Sequence, residues 1–142
     1  MTAEIIPILD AVYEEALGKG NFDALDDFFD PAYVDHGGLG DTTGLAAFRE
    51  ALRQWRQAFP DATFAYSDVI QDGDRAAWRS TMTGTHQGDL PGIPATGKRV
   101  ELETMDRGIA RDGRAVEHWS CMDRLAMLEQ LGLVPTAANT PA

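Results

Sequence analysis

The sequence is poor in cysteine, histidine and basic residues. Of its 142 residues one is a cysteine, Cys121, and three are histidines, while 12 Lys and Arg stand against 23 Asp and Glu for a net charge of −11. A single cysteine excludes an internal disulfide framework and is typical of a reducing compartment, so we expect a cytoplasmic protein. The acidic charge argues against nucleic acid as a partner, because its phosphates would be repelled.

Long apolar runs are also missing. No stretch approaches the roughly 20 residues that a membrane-spanning helix needs. The first ten residues, MTAEIIPILD, carry acids instead of the basic start of a signal peptide. The composition therefore predicts a soluble globular chain without a membrane partner. Its length predicts one domain over residues 1–142, with a frayed tail from 134 to 142.

Several catalytic and metal-binding motifs are absent. No Gly-rich phosphate loop follows a predicted strand, and no Gly-x-Ser-x-Gly elbow is present. The three histidines, at positions 36, 86 and 118, lack the close spacing that is typical of metal ligands. The sequence therefore gives no reason to expect a metal site.

The hydrophobic pattern predicts helices first and strands afterwards. Helical spacing of apolar residues marks 4–19, 22–29, 44–59 and 124–131, and alternation marks strands at 63–71, 75–87, 98–111 and 114–122, with a short extended piece at 33–36. Asp112-Gly113 predicts a hairpin turn between the last two strands. This order predicts an α+β fold, in which a curved antiparallel sheet wraps over the N-terminal helices as a cone-shaped α+β barrel with a central pocket.

Strand alternation indicates which polar side chains reach that pocket. In the strand 98–111 the charged parity must face water, which leaves Leu102 and Asp106 on the concave face. Across the hairpin, Val116, His118 and Ser120 share one parity. If that parity points inward, Asp106 and His118 converge and can serve as general base and acid. The alternative is a buried hydrogen-bonded pair with a purely structural role.

Other residues are candidates for the pocket wall and its mouth. The predicted substrate-binding residues are His36, Trp55, Trp78, Met82, His86 and Leu102. Asp35 and His36, on a loop near Gly37, could line the mouth, with an exposed polar turn as an equal alternative. For the tryptophans the alternative is simple packing. Tyr13 is assigned to the core, and Asp123 is predicted to cap the last helix.

Short motifs spread over most of the chain are similar to those of a known family. They are YVDH at 33–36, GTHQG at 84–88, GIPATGK at 92–98, RDGR at 111–114, VEHW at 116–119 and LEQLG at 128–132. Together they resemble the SnoaL-like polyketide cyclases, which belong to the cone-shaped α+β superfamily that includes ketosteroid isomerase and scytalone dehydratase. The resemblance implies an enzyme that needs no cofactor, and a homodimer formed through the outer face of the sheet.

The resemblance also implies a reaction. The characterised cyclases close a ring of an aromatic polyketide by intramolecular aldol condensation, in which an aspartate deprotonates the carbon next to a carbonyl group. Such a base is expected to have its pKa raised by dry surroundings. The implied partner is a small apolar or aromatic carbonyl substrate, although relatives of this fold include hydroxylases, hydratases and ligand binders.

One position departs from the family pattern. The cyclase aspartate lies two residues after the histidine of VEHW, where this chain has Ser120, and a position on the neighbouring strand that is often histidine is Asp106 here. We hypothesise that Asp106 is the general base, His118 its partner or an acid, and Ser120 a donor to the substrate oxygen. The competing hypothesis is that the chain catalyses another reaction or only binds an apolar ligand.

Overall fold

The elements lie in the predicted order, with helices before the long strands. We describe residues 4–134 in a computed structural model. The helices are α1 (Ile6–Asp10), which continues as a π-helical segment over Ala11–Gly18, a 3-10 helix over Phe22–Asp27, α2 (Leu45–Ala58) and α3 (Arg124–Gln130). The strands are β1 (Phe29–Gly37), β2 (Gly40–Thr43), β3 (Thr63–Asp72), β4 (Arg75–Thr85), β5 (Arg99–Arg111) and β6 (Arg114–Met122). The predicted frayed tail lies, apart from residue 134, outside the described residues.

The six strands form one sheet in the order β2-β1-β6-β5-β4-β3. The strands from β3 to β6 are joined as consecutive antiparallel hairpins, as predicted. Asp112 and Gly113 both adopt positive φ at the last turn, at 53° and 78°, which matches the twist of a tight hairpin. Within residues 4–134 the sheet ends at β2 and β3, so the cone is open and does not close into a barrel.

Strand β1 is the main departure from the predicted antiparallel sheet. It pairs in parallel with β6, and this register places Asp35 opposite His118. The prediction stopped at an extended piece because the sequence FDPAYVDHG contains Pro, Asp and Gly, which are rare in strands. Pro31 lies where the β1–β6 register shifts, at a position where its missing N–H breaks no ladder hydrogen bond.

The helices cover the concave face of the sheet and divide the core into two clusters. One cluster joins α1 and its π-helical continuation with α2, β1 and β4, and the other lies between the end of α2, β4, β5 and α3. Trp55 and Phe64 pack against both clusters. Asp123 caps α3 as predicted, since its Oδ1 accepts a hydrogen bond from the Ala126 N–H at 2.9 Å. Within residues 4–134, no helix is long and apolar enough to cross a bilayer.

A bulge in β6 sets the direction of the polar side chains. Ala110 pairs with Ala115 and Ile109 pairs with Glu117, so Val116 is an extra residue in β6. Such bulges reverse the alternation of the strand and are frequent beside functional sites. His118 therefore points to the concave side as predicted, although the buried residue before the bulge is Ala115 and not Val116.

Candidate active site

A central cavity of about 150 Å³ lies on the concave face, between the two core clusters. Its apolar wall includes the predicted residues Trp55, Met82 and Leu102, and also Phe48, Leu52 and Phe64. Its polar lining residues are Tyr13, Asp35, Ser80, Thr81, Thr104, Asp106, His118 and Ser120. The structure thus brings together all three predicted catalytic residues. The volume is close to that of an apolar cavity that holds one benzene molecule.

His118 bridges two carboxylates at the wall of this cavity. Its Nδ1 lies 2.6 Å from Asp35 Oδ1, and its Nε2 lies 2.9 Å from Asp106 Oδ1. Both ring nitrogens can donate only when the imidazole is protonated. Burial lowers the pKa of His118, but the hydrogen bonds and charges of Asp106 and Asp35 outweigh it and raise this pKa to about 9. The group is therefore an imidazolium at neutral pH.

Asp106 is held by three donors. Its Oδ2 accepts from the Ser80 hydroxyl at 2.8 Å and from the Thr104 hydroxyl at 2.6 Å, and its Oδ1 accepts from His118. Burial raises the pKa of Asp106, but the hydrogen bond and charge of His118 together with the two hydroxyls hold it below its usual value. The expectation that dry surroundings raise this pKa is therefore wrong. Asp106 is a weak base that anchors the imidazolium.

Asp35 is the third charged group of the cavity. The sequence analysis considered it only as a residue of the mouth and gave it no catalytic role. Its residue is only 6% exposed, and its Oδ1 accepts from the Tyr33 hydroxyl at 3.0 Å as well as from His118. Its Oδ2 lies beside Gly37, where a Cβ atom would come within 2.7 Å of that oxygen. Strand alternation could have indicated that Asp35 points inward, because Asp35 lies two residues after the buried Tyr33 and alternate residues of a strand share a face.

Trp78 lies behind the imidazole and does not line the central cavity, contrary to the prediction. Its ring stacks on that of His118 with centroids 5.5 Å apart and planes 14° apart, and its Nε1 donates to the Tyr13 hydroxyl at 3.1 Å. Gly108, opposite His118, leaves space for this stack, since a Cβ there would meet the Trp78 ring at 3.0 Å. The stack therefore fixes the plane of the imidazole.

Tyr13 was assigned to the core but also lines the central cavity. Burial and then the charge of Asp106 hold the pKa of Tyr13 well above its usual value. The group therefore stays a neutral hydroxyl that can donate a hydrogen bond. Its helical position among apolar neighbours gave no signal of this second role.

Ser120 lies opposite Asp106 in the β5–β6 register and lines the central cavity. Its hydroxyl makes no side-chain hydrogen bond to any residue of the described 4–134 range. It is therefore available to donate to a ligand oxygen, as predicted from its parity.

His36 lies on the opposite face of the sheet from the central cavity. Because Asp35 points inward, its neighbour in β1 points outward. His36 Nε2 lies 2.8 Å from Glu117 Oε2, its Nδ1 lies 3.2 Å from Asp41 Oδ1, and its ring stacks on Trp119 at 5.2 Å. The prediction that His36 contacts the substrate at the mouth is therefore not supported.

His86 is buried but also lies away from the central cavity. Its Nδ1 accepts from the Thr96 N–H at 3.2 Å, and its ring lies 5.3 Å from that of Phe59. Its backbone N–H and C=O bond to residues 98 and 97. His86 therefore anchors the connection between β4 and β5, which explains its burial without a role in substrate binding.

The comparisons with known proteins agree with this architecture. The model of the SnoaL-like polyketide cyclase family matches residues 8–131. The chain belongs to the SnoaL-like polyketide cyclases. Among solved structures, TsrD from Streptomyces laurentii superposes on this SnoaL-like protein with a TM-score of 0.81 and 29% identity, covering 89% of this chain and 93% of TsrD.

Two curated relatives of this SnoaL-like protein are ester cyclases. Aklanonic acid methyl ester cyclase DnrD of Streptomyces peucetius is 29% identical over 124 residues, which are 83% of this chain and 84% of DnrD. Nogalonic acid methyl ester cyclase of Streptomyces nogalater is 28% identical over 122 residues, which are 82% of this chain and 90% of that enzyme. The resemblance inferred from the sequence motifs is thus confirmed.

Proposed function

We propose that this SnoaL-like protein is a cofactor-independent enzyme that transfers a proton at the carbon next to a carbonyl group of a polyketide-like substrate, in an aldol-type cyclisation. The observation that carries the proposal is the His118 imidazolium held between Asp35 and Asp106 at the wall of an apolar cavity. The names of its curated relatives, which are ester cyclases, agree with it.

The polar groups of the central cavity suit the charge that develops in this reaction. When the carbon loses its proton, negative charge moves to the carbonyl oxygen, and fixed donors or cations nearby stabilise it. The Tyr13 and Ser120 hydroxyls are such donors, and His118 supplies the nearby positive charge. The apolar wall excludes water, which strengthens each of these interactions. An aldol cyclisation needs no added reactant, because the lost proton returns to the new hydroxyl group.

The test is the exchange of α-protons of ketones in D2O, followed by proton NMR. Cyclohexanone matches the one-ring size of the central cavity, and 2-tetralone is the two-ring comparison. We expect the protein to accelerate exchange of cyclohexanone, and His118→Gln to lose about 10²- to 10⁴-fold of that acceleration. Exchange no faster than in protein-free buffer for either ketone, at saturating concentrations, would contradict the proposed function.

Binding without catalysis is the second candidate function. It is favoured by the three donors on Asp106, which leave that carboxylate little basicity. The two candidates differ in one result, since a binder would take up cyclohexanone in calorimetry but would not exchange its α-protons.

We further propose that two copies pair through the outer face of the sheet, the face turned away from the helices. This face carries a groove of about 1040 Å³ that includes Met105, which is 60% exposed, and Cys121. In this groove Arg79 Nη2 lies 2.9 Å from Glu103 Oε1. A two-fold interface must be self-complementary, and charges of both signs around an apolar side chain satisfy this requirement.

The dimer is tested by sedimentation equilibrium. We expect twice the monomer mass for the wild type, and a dissociation constant at least about tenfold higher for Met105→Glu, since the carboxylate loses its hydration when the interface forms. Ile6→Glu is the matched control, because Ile6 is 41% exposed and lies in α1, which covers the opposite face of the sheet. A monomeric wild type, or equal effects of the two variants, would disprove the proposed interface.

A further inference from the structure

We infer that Asp35 is the catalytic base of the central cavity and that it takes the substrate proton on Oδ2. The assignment rests on the proposed function, since it concerns one step of that reaction. It differs from the sequence-based hypothesis, which gave this step to Asp106. It follows from the hydrogen bonds, the exposure and the surroundings of the two carboxylates.

The hydrogen bonds distinguish the two carboxylates. Both oxygens of Asp106 accept bonds, one from His118 and the other from Ser80 and Thr104. Asp35 directs both of its bonds to Oδ1, from Tyr33 and from His118. Within residues 4–134, Oδ2 of Asp35 accepts no hydrogen bond. A general base needs a lone pair that can reach the proton it removes, and Oδ2 has both of its lone pairs available.

Exposure points in the same direction. The Asp35 side chain is 9% exposed, whereas that of Asp106 is 2% exposed. Both residues line the central cavity, but both oxygens of Asp106 already accept hydrogen bonds from its three donors. A substrate carbon can therefore approach Asp35 without displacing a protein hydrogen bond.

Gly37 keeps the approach to Oδ2 open. Both Gly37 and Gly38 line the central cavity, and a Cβ atom on Gly37 would lie 2.7 Å from Asp35 Oδ2. Any side chain at position 37 would cover that oxygen or push it aside. The β1–β6 register holds Asp35 opposite His118, so the free oxygen has a fixed position next to the imidazolium.

The proton transfer balances without a further reactant. The substrate C–H bond breaks, its proton goes to Asp35 Oδ2, and its electron pair moves to the carbonyl oxygen as an enolate. The enolate carbon then forms the new C–C bond to the second carbonyl of the same molecule. The resulting alkoxide takes the proton back from Asp35, which restores the carboxylate. His118 keeps both of its protons throughout. Its positive charge stabilises the Asp35 carboxylate before the transfer and the enolate and alkoxide after it.

The experiment compares two matched amide variants in the cyclohexanone exchange assay. We expect Asp35→Asn to keep the near-UV circular dichroism of the wild type and to lower the exchange rate at least about 10³-fold. Asp106→Asn, which keeps a polar side chain of the same size, should lower the rate about tenfold or less. If Asp35→Asn exchanges at the wild-type rate and Asp106→Asn does not exchange, the assignment of the base to Asp35 is overturned, while the proposed function stands. Absence of exchange in the wild type would overturn the proposed function together with this step.

Discussion

Replacing His118 by alanine is expected to lower the free energy of unfolding by about 3–5 kcal/mol, because the change leaves two buried carboxylates without their shared cation. Asp35 and Asp106 would then face each other across the gap, each 5–6% exposed. One of them would have to take up a proton, or water would have to enter. Urea unfolding at pH 7 gives the free energy through the linear dependence on denaturant concentration.

The matched control is His36→Ala. His36 lies in β1, next to Asp35, and also contacts two carboxylates, those of Glu117 and Asp41, but on the outer face of the sheet. Its side chain is 31% exposed, so solvent replaces the lost interactions. We expect its loss of stability to be a small fraction of that for His118→Ala. Comparable losses would mean that the buried interactions of His118 stabilise the fold no more than the exposed interactions of His36.

The stability of the wild type is expected to fall as the pH rises from 6.5 to above 9. The pKa of His118 is about 9 in the folded protein, above its ordinary value of 6.5. Between these values the folded state holds a proton that the unfolded state has released, so the free energy of unfolding falls with increasing pH. The contribution is complete below pH 6.5 and amounts to roughly 3 kcal/mol.

Urea unfolding between pH 6 and pH 9.5 measures this dependence. His36 contributes in the same direction, since the hydrogen bond to Glu117 above all raises its pKa. The informative comparison is therefore with His118→Gln, which keeps a polar side chain but cannot titrate, and whose curve should be flatter. The slopes of the two curves should differ most between pH 7 and pH 9. Parallel curves would mean that His118 is not the titrating group.

The sequence predicted the helical regions, the strands β3 to β6 and one wall of the site, because these depend on local periodicity. Alternation along residues 98–111 placed Leu102 and Asp106 on the concave side, where both are buried. The change from strand to helix near residue 123 gave the cap by Asp123. Short motifs gave the family. Each of these signals lies within a few residues of chain.

The remaining parts of the site depend on pairings that local patterns do not encode. Asp35 reaches His118 only through the parallel β1–β6 register, across 83 positions of sequence. The pKa of Asp106 is lowered by donors that include Ser80 on the adjacent strand, so burial alone predicted the wrong direction. The orientation of His118 was predicted from the parity of Val116, but it results from the bulge at that residue.

The parallel pairing of β1 with β6 also bears on the order in which the protein acquires activity. The hairpins from β3 to β6 join neighbouring segments, so each closes a short loop during folding. The contact between Asp35 and His118 closes a much longer loop, and long-range pairings of this kind are slow to form. Refolding chains would therefore complete most of the sheet before the two charged groups meet. Recovery of the proposed proton transfer would then mark the last step of folding, later than the recovery of secondary structure.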